Sequence, residues 1–182
     1  MIKKILLGAI VVIVLVVVIF CALVAMQPTH YHIERSAMMN APAATVFNQV
    51  NDFHKWDAWS PWAKLDPNMK TSYEGARSGT GAVYAWTGND QVGQGRMTIT
   101  DSKPGELVKI KLEFIKPWTA TNATNFMFTP QGNQTAVKWT MDGDNTFLGK
   151  AFGLFMNMDK MVGGDFEKGL AQMKTITEAA AK

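Results

Sequence analysis

The sequence predicts an α+β domain in which an antiparallel sheet packs against a long C-terminal helix, with one apolar helix in front of it. Three observations support this class: an uncharged apolar run at 5–26, apolar and polar residues that alternate between turn signals over 69–142, and apolar residues at steps of three and four after 146. Alternation indicates strands with one buried face, whereas steps of three and four indicate a helix. The predicted divisions are an N-terminus at 1–4, a membrane anchor at 5–26, a tether at 27–30 and a domain at 31–182.

The apolar run at 5–26 is predicted to be a transmembrane anchor. It has 22 residues without a charge or a proline, and a helix of that length spans about 33 Å, which is enough to cross the hydrocarbon core of a bilayer. A cleaved signal peptide is the alternative. It fits less well, because the run exceeds the usual apolar region of a signal peptide and no pair of small residues at cleavage spacing closes it.

The basic residues predict the orientation of this anchor. Lys3 and Lys4 precede the run, whereas Arg35 is the only Lys or Arg in 27–54. Basic flanks of an apolar span favour the cytoplasmic side. We therefore expect a single-pass protein of the cell (inner) membrane, with a cytoplasmic N-terminus and an extracytoplasmic domain that the short tether keeps near the membrane surface.

The remaining composition argues against several classes of protein. The chain has 18 Lys and Arg against 15 Asp and Glu, and without Lys3 and Lys4 the excess is one charge, too small for the basic stripe of a nucleic-acid binder. The single cysteine, Cys21, lies in the apolar run, which excludes disulfide scaffolds, zinc ribbons and cysteine nucleophiles. His30 and His32 have no third ligand near them in the sequence. We therefore expect no cofactor, no metal and no nucleic acid as partners.

Turn signals set the order of elements in the domain. A strand at 31–40 precedes a short helix that Pro42 opens, since proline suits the first helical position. A second short piece carries Phe53, Trp56 and Trp59 and ends in a cluster of loop residues. Further strands are predicted at 69–74, 82–87, 92–101, 107–114, 119–129 and 135–142.

Two patterns predict how the sheet and the final helix meet. In 107–114 apolar residues alternate with charged ones, so one face of the sheet is buried and the other is wet. After 146 the helical spacing is interrupted at Gly163-Gly164, which predicts one kinked helix or two consecutive helices across the apolar face. Gly93 and Gly95 interrupt a strand and predict a β-bulge.

Several stretches of the domain resemble one protein family. They are Glu34-Arg35-Ser36 with Asn40-Ala41-Pro42, Val46-Phe47 with Val50-Asn51-Asp52-Phe53, Trp56-Asp57-Ala58-Trp59-Ser60-Pro61-Trp62, Asp66-Pro67-Asn68-Met69, Met141-Asp142-Gly143, Asn145-Thr146-Phe147-Leu148-Gly149-Lys150 and Asp159-Lys160-Met161. Over about residues 30–182 the chain resembles the polyketide cyclase/dehydrase and lipid-transport family of the START and birch-pollen-allergen superfamily (SRPBCC), in its membrane-anchored bacterial branch. The resemblance implies a helix-grip (START-like) fold, whose curved sheet wraps around the final helix and holds a hydrophobic ligand against it. It carries over no catalytic residue.

Large aromatic and methionine side chains are the candidates for the wall of that cavity. Such residues suit an apolar site that accepts irregular ligands, although a solid core uses the same residues. Strand parity selects Tyr84, Trp86, Phe114, Trp139 and Met141, and position in the helical segment selects Phe152, Phe155 and Met156. Trp56 and Trp59, which lie in loop-like sequence, complete the set of cavity candidates. The loop tryptophans Trp56, Trp59 and Trp62 have two interpretations, since they either cap the open end of the sheet or reach the depth of membrane headgroups.

The leading hypothesis is membrane-anchored binding or transport of a hydrophobic small molecule or lipid in a cavity between the sheet and the C-terminal helix. Gly163 and Gly164 would form the hinge that opens the cavity, because glycine accepts large changes in φ and ψ. One alternative is an enzyme of the cyclase/dehydrase or hydrolase kind, for which the sequence shows no convergent set of titratable groups. Its candidate polar groups are Asp57, Arg96, Asn122 and Asp142. The other alternative is a protein-interaction module without a ligand.

Overall fold

The chain forms two structural units in a computed structural model that describes residues 2–181. The first unit comprises the residues up to Tyr31 together with Asp144–Met158, and the second comprises His32–Gly143 together with the residues from Asp159 onwards. The helices are α1 (Ile2–Ala25), α2 (Ala43–Asn51), α3 (Phe147–Gly153) and α4 (Met158–Ala180), with a 3-10 helix at Phe53–Ala58. The strands are β1 (His30–Met39), β2 (Lys70–Gly75), β3 (Ala82–Thr87), β4 (Gln94–Lys103), β5 (Leu107–Lys116), β6 (Ala120–Gln131) and β7 (Gln134–Asp144).

The described strands form one seven-stranded sheet in the order β1-β7-β6-β5-β4-β3-β2. Consecutive strands from β2 to β7 pair antiparallel, as hairpin-connected strands do. The predicted α+β class, with an antiparallel sheet and a long C-terminal helix, is thereby confirmed. The pairing register shifts between Gln94 and Gly95, which confirms the bulge predicted around Gly93 and Gly95.

One face of the sheet carries the core of the second unit, and we call it the inner face. Val108 and Ile110 on β5, with Val137 and Trp139 on β7, are each no more than 2% exposed. The residues between them, such as Lys109, lie on the opposite, outer face. Complete burial of a side chain of this size contributes roughly 1.5–3 kcal/mol, so the alternation predicted from the sequence decides which face becomes the core.

Two helices follow the sheet, which is one of the two alternatives that the sequence left open. The break between them lies at 154–157, because α3 ends at Gly153 and α4 begins at Met158. The break predicted at Gly163-Gly164 was wrong, since α4 is continuous through both glycines. A helix tolerates glycine at a cost of about 1 kcal/mol, which the packing of α4 offsets. Buried side chains on α4 include Phe166, Leu170 and Met173.

Gly163 makes room for the guanidinium group of Arg35. This arginine on β1 donates from Nη1 and Nη2 to the two carboxylate oxygens of Asp159, at 3.0 and 3.1 Å, and from Nε to Glu167 at 2.7 Å. The hydrogen bonds to Asp159 and then Glu167 raise the pKa of Arg35 above its ordinary value. A Cβ atom at Gly163 would overlap the guanidinium, whereas one at Gly164 would meet nothing within 4 Å. The first turns of α4 are therefore tied to β1 through a space that only glycine leaves open.

Polar pairs join β1 to β7 on the outer face. The Nδ1 atom of His32 lies 2.6 Å from Oδ1 of Asp142, and Nζ of Lys138 lies 2.9 Å from Oε1 of Glu34. The hydrogen bond with Asp142 raises the pKa of His32, and the hydrogen bond from Lys138 lowers the pKa of Glu34. Because solvent screens these exposed groups, the pairs add only modestly to the backbone pairing of the edge strand β1.

α1 in the first unit is apolar along most of its length. Lys4–Ala25 is long and apolar enough to cross a membrane, a property that signal sequences share. Most of its side chains are exposed, including Leu6 at 63% and Val12 at 59%. The predicted apolar N-terminal helix is present, whereas its position in a membrane stays a prediction.

Alanine at the two neighbouring glycines of α4 should have different effects on stability. Gly164→Ala should raise the free energy of unfolding by about 0.5–1 kcal/mol, because alanine favours a helix and the site has room. Gly163→Ala should lack this gain or lower the stability, because its methyl group displaces Arg35 from Asp159 and Glu167. Urea unfolding of the detergent-solubilised chain, followed by circular dichroism, measures both. In a chain that also carries Arg35→Ala, Gly163→Ala should become stabilising; equal effects of both alanines in the wild type would contradict this account.

The His32 pair predicts a pH-dependent contribution to stability. Since the folded pKa of His32 is raised from 6.5, its contribution is fully present below the unfolded pKa and is lost as the pH rises through the folded pKa. The stability difference between the wild type and His32→Gln should therefore be largest near pH ~5.5 and shrink towards pH ~8. Thermal unfolding across this range measures it, with Asp142→Asn as the control that should reduce the same dependence, since Glu34 also raises the pKa of His32. Parallel pH profiles of the wild type and His32→Gln would overturn this prediction.

Candidate functional site

The structure divides the ten predicted cavity residues between the two units. Three lie in the first unit, at Phe152, Phe155 and Met156. The other seven lie in the second unit, on the inner face of the sheet or in the segment that covers it: Trp56, Trp59, Tyr84, Trp86, Phe114, Trp139 and Met141.

Ring contacts fill the inner face beneath α4. The indole of Trp139 stacks on Phe166 of α4, with centroids 3.9 Å apart and planes inclined by 6°, and on Phe126 of β6 at 4.7 Å. Trp59 meets Trp139 edge-on at 5.7 Å. The sheet and the final helix are thus in direct contact at this point. The predicted cavity would therefore have to lie over another part of the inner face, and it stays a prediction.

The loop tryptophans pack against the sheet. Trp56 and Trp59 are at most 4% exposed, and their Nε1 atoms donate to the carbonyl oxygens of Val50 and Gln49 at 3.0 and 3.1 Å. Trp62 makes edge contacts with Trp139 at 5.9 Å and with Phe166 at 6.4 Å. Of the two interpretations from the sequence, the structure supports capping of the sheet for Trp56 and Trp59.

A second aromatic group lies on β3 and β5. Trp86 stacks on Tyr84 at 6.0 Å and meets Phe114 edge-on at 6.1 Å. The Nε1 atom of Trp86 donates to the carbonyl oxygen of Val92 at 2.9 Å, and its ring covers Gly95, where any Cβ atom would overlap it. A hydrogen bond therefore holds one end of this indole, and the lack of a side chain at Gly95 leaves room for its ring.

Tyr84 keeps a neutral hydroxyl group within this aromatic wall. Burial, followed by the negative charge of Asp57, raises the pKa of Tyr84 well above its ordinary value. The phenol therefore stays protonated across the physiological range and can act only as a neutral hydrogen-bonding group.

Two polar atoms on the inner face lack hydrogen-bond partners among the described residues. They are Oγ1 of Thr124 on β6 and Nε1 of Trp139 on β7, and these residues are 3% and 2% exposed. Thr124 pairs with Met141, and Trp139 pairs with Phe126. Thr124 and Trp139 are thus diagonal neighbours on one face of the sheet, a position in which the Cα atoms of two residues lie roughly 7–8 Å apart. Buried polar atoms of this kind need an explanation, because most are satisfied in native proteins.

Asn122 extends this polar line along β6. It is 5% exposed, lies two residues before Thr124 on the same face, and its Nδ2 atom is 3.8 Å from the sulfur of Met141. The sequence reasoning did not identify Thr124. The sequence signal that indicates Thr124 is its position, since it is a polar residue on the same face of the strand as Phe126 and Phe128.

Three of the four polar groups of the enzyme alternative, Arg96, Asn122 and Asp142, do not converge. Asn122 lies on the inner face, whereas Arg96 lies on the outer face, 3.7 Å from Glu74, and Asp142 lies on the outer face beside His32. Within residues 4–181 no three His, Cys, Asp or Glu side chains are grouped to hold a metal ion, and the expectation that no metal binds stays a prediction.

The histidines near the tether each have an acidic neighbour across the sheet, which the sequence reasoning missed. His30 and Asp144 form a pair in the first unit. His32 and Asp142 form one in the second. Both aspartates lie at the end of β7. The sequence signal for these pairs was a matching spacing: the two histidines are two residues apart on one strand, and the two aspartates are two residues apart on another.

The first unit contains a cleft of about 430 Å³. Phe155 and Met156 line it, together with Gln27, Tyr31 and Lys150. Phe155 is 79% exposed and Phe152 is 49% exposed, so the three candidates in this unit are surface groups.

Solved structures with low sequence identity share the fold. Protein CV1439 from Chromobacterium violaceum has a TM-score of 0.58 and 12% identity, covering 84% of this chain and 99% of its own. Ara h 8.0201 has a TM-score of 0.54 and 11% identity, covering 84% of this chain and 97% of its own. The di-domain ARO/CYC StfQ from the steffimycin biosynthetic pathway has a TM-score of 0.60 and 11% identity, covering 84% of this chain and 52% of its own. No curated protein matches the chain.

The sequence also matches a protein-family model over residues 30–178. The matched residues run from the first residue of β1 into the last turn of α4, so they contain every strand described above. The chain therefore belongs to the family described as polyketide cyclase / dehydrase and lipid transport.

Proposed function

We propose that the second unit binds a hydrophobic small molecule or lipid against the inner face of its sheet, and that α1 anchors the protein in a membrane. The family is described by cyclase/dehydrase activity and lipid transport, both of which involve apolar molecules. The observation that carries the proposal is the pair of buried polar atoms on this face, Thr124 Oγ1 and Trp139 Nε1, which have no partner within the described residues.

Apolar side chains elsewhere on the sheet share the inner face with these atoms and form an apolar wall. Tyr84 and Trp86 on β3, Met97 on β4, Phe114 on β5 and Met141 on β7 all lie on the inner face. Rigid aromatic rings and flexible thioethers together accommodate ligands of irregular shape. Ligand sites are typically apolar walls with a few polar groups that fix orientation, and this face has that composition.

The unpartnered atoms indicate what kind of ligand fits. The indole Nε1–H of Trp139 can only donate a hydrogen bond, whereas the hydroxyl of Thr124 donates or accepts. An apolar ligand with a carbonyl or hydroxyl oxygen can accept a hydrogen bond from either group. Such a ligand would satisfy a buried group whose desolvation the folded chain otherwise leaves uncompensated.

The anchor fits a ligand drawn from a membrane. Each buried methylene group contributes about 0.8 kcal/mol to binding, so an acyl or polyketide chain can be held against the apolar wall after it leaves a bilayer. Ligand exchange requires the covering elements to move. We keep Gly163 and Gly164 as the proposed hinge positions, and exchange rates of their alanine variants test this role.

Removing a wall residue should weaken ligand binding. Phe114→Ala should lower the affinity for the fluorescent apolar probe N-phenyl-1-naphthylamine, because Phe114 lies on the inner face. Ile115→Ala is the matched control, since Ile115 is the next residue of the same strand and is 48% exposed. The measurement is probe titration of the full chain in detergent, with native mass spectrometry to detect a co-purified ligand. Only the unliganded mass, with no probe binding, would overturn the proposal.

Two buried threonines should respond oppositely to valine. Thr135 Oγ1 donates to the carbonyl oxygen of Ala41 at 2.8 Å, so Thr135→Val should lower the free energy of unfolding by about 1 kcal/mol. Thr124→Val should leave the unliganded protein equally or more stable, because it removes an unsatisfied hydroxyl. It should also weaken binding of an oxygen-containing ligand by roughly 2- to 10-fold, which is the net effect of one hydrogen bond. Thermal unfolding and competition against the probe measure both effects; a loss of stability in Thr124→Val without a loss of affinity would show that Thr124 is structural.

A further inference from the structure

We propose that residues 147–158 insert into the membrane beside the C-terminal end of α1, with the bilayer interface covering their apolar side chains. We call this stretch the α3 segment. The inference rests on the proposed membrane anchor, and it lies wholly within the first unit. It is independent of where a ligand binds on the sheet.

The α3 segment exposes an unusual amount of apolar surface. Phe155 is 79% exposed, Leu148 65% and Phe147 55%, and the segment has Lys150 as its single charged residue. Isolated apolar side chains are normal on protein surfaces, but contiguous ones mark a contact with another protein, a ligand or a membrane. The other large apolar groups with more than a third of their surface exposed are Phe152, Met156 and Met158.

A contact with α1 selects the membrane among these partners. The ring of Phe155 stacks on Phe20 of α1, with centroids 6.4 Å apart and planes inclined by 24°. Phe20 lies five residues before Ala25, the end of α1, so it is about 7.5 Å along the helix from that end. A helix at a bilayer interface buries its apolar face roughly 5–10 Å below the headgroup boundary. If α1 crosses the bilayer, Phe155 is therefore already at the depth of acyl chains.

The polar groups of the same region lie at the other end of this contact. Lys150 donates from Nζ to Oγ1 of Thr29 at 3.1 Å, and Asn145 donates from Nδ2 to the carbonyl oxygen of Pro28 at 3.1 Å. Thr29 and Pro28 follow the end of α1, where lipid headgroups would surround the chain. A lysine at that level keeps its ammonium group in the headgroup region while its methylene groups cover apolar surface.

The α3 segment therefore has the distribution of polar and apolar groups that is expected at a membrane interface. Its charged side chain is held level with the tether, and its most exposed aromatic ring is held against the apolar span. A second copy of the chain is the other occupant that would cover such a surface, and the experiment below distinguishes it from lipid.

The experiment measures the depth of fluorescent labels in the full chain. Cys21, the single cysteine, carries an environment-sensitive nitrobenzoxadiazole label in the wild type and reports on α1 itself. In a Cys21→Ser background, Phe155→Cys and Leu148→Cys report on the α3 segment, and Lys168→Cys on the surface of α4 is the control. Each labelled protein is reconstituted into vesicles of phosphatidylcholine and phosphatidylglycerol that contain lipids with a doxyl quencher near the ester carbonyls.

We expect the labels at positions 21, 155 and 148 to be quenched several-fold more strongly than the label at position 168. Quenching at 21 without quenching at 155 and 148 would overturn the inserted segment but keep the anchor. A blue-shifted emission at 155 without quenching would also overturn it, and would indicate a second copy of the chain. No quenching at 21 would overturn the anchor, and with it both this inference and the membrane part of the proposed function.

Discussion

The stack of Trp139 between Phe126 and Phe166 is the interaction on which the second unit depends. It joins β7 to β6 on one side and to α4 on the other, at centroid distances of 4.7 and 3.9 Å. Such a close approach requires a small residue on the helix, and Gly169 supplies it, since a Cβ atom there would lie 3.0 Å from the indole. Aromatic pairs contribute about 0.5–1.5 kcal/mol beyond the area they bury, so this stack helps to hold the final helix on the sheet.

This packing also determines where a ligand can be held. Rings fill the inner face beneath α4. We therefore propose that a ligand binds over the aromatic wall around Trp86 and the polar side chains of Asn122 and Thr124. The indole of Trp139 belongs to both regions, since its faces are stacked and its Nε1–H lacks a partner among the described residues. One side chain thus links the stability of the fold to the proposed recognition of a polar atom. A ligand that accepts from this group would stabilise the native state by mass action.

Much of the fold could be predicted from residues that follow a strict period. Alternation in β5 and β7 predicted the buried face, and the turn glycines predicted the hairpins, because side chains on successive strand residues point to opposite faces. Pairings between distant residues could not be predicted in this way. Arg35 meets Asp159 and Glu167 more than a hundred residues away along the chain. The sequence predicts an interruption at Gly163, because nothing local shows the guanidinium group that occupies the space where a Cβ atom would lie.

The sequence by itself determined the α+β class, the apolar N-terminal helix, the family and the set of aromatic residues available for a site. The class, the helix and the aromatic set depend on periodicity and composition, which are local properties of a chain. The family rests instead on the motifs that resemble it and on the family-model match over residues 30–178. Tertiary structure decided which of those aromatics became solid core and which polar atoms were left unsatisfied. It also decided that the exposed ring of Phe155 lies against Phe20 of α1. Whether a buried group finds a partner depends on strands and helices that approach from elsewhere in the chain, and no local pattern records that geometry.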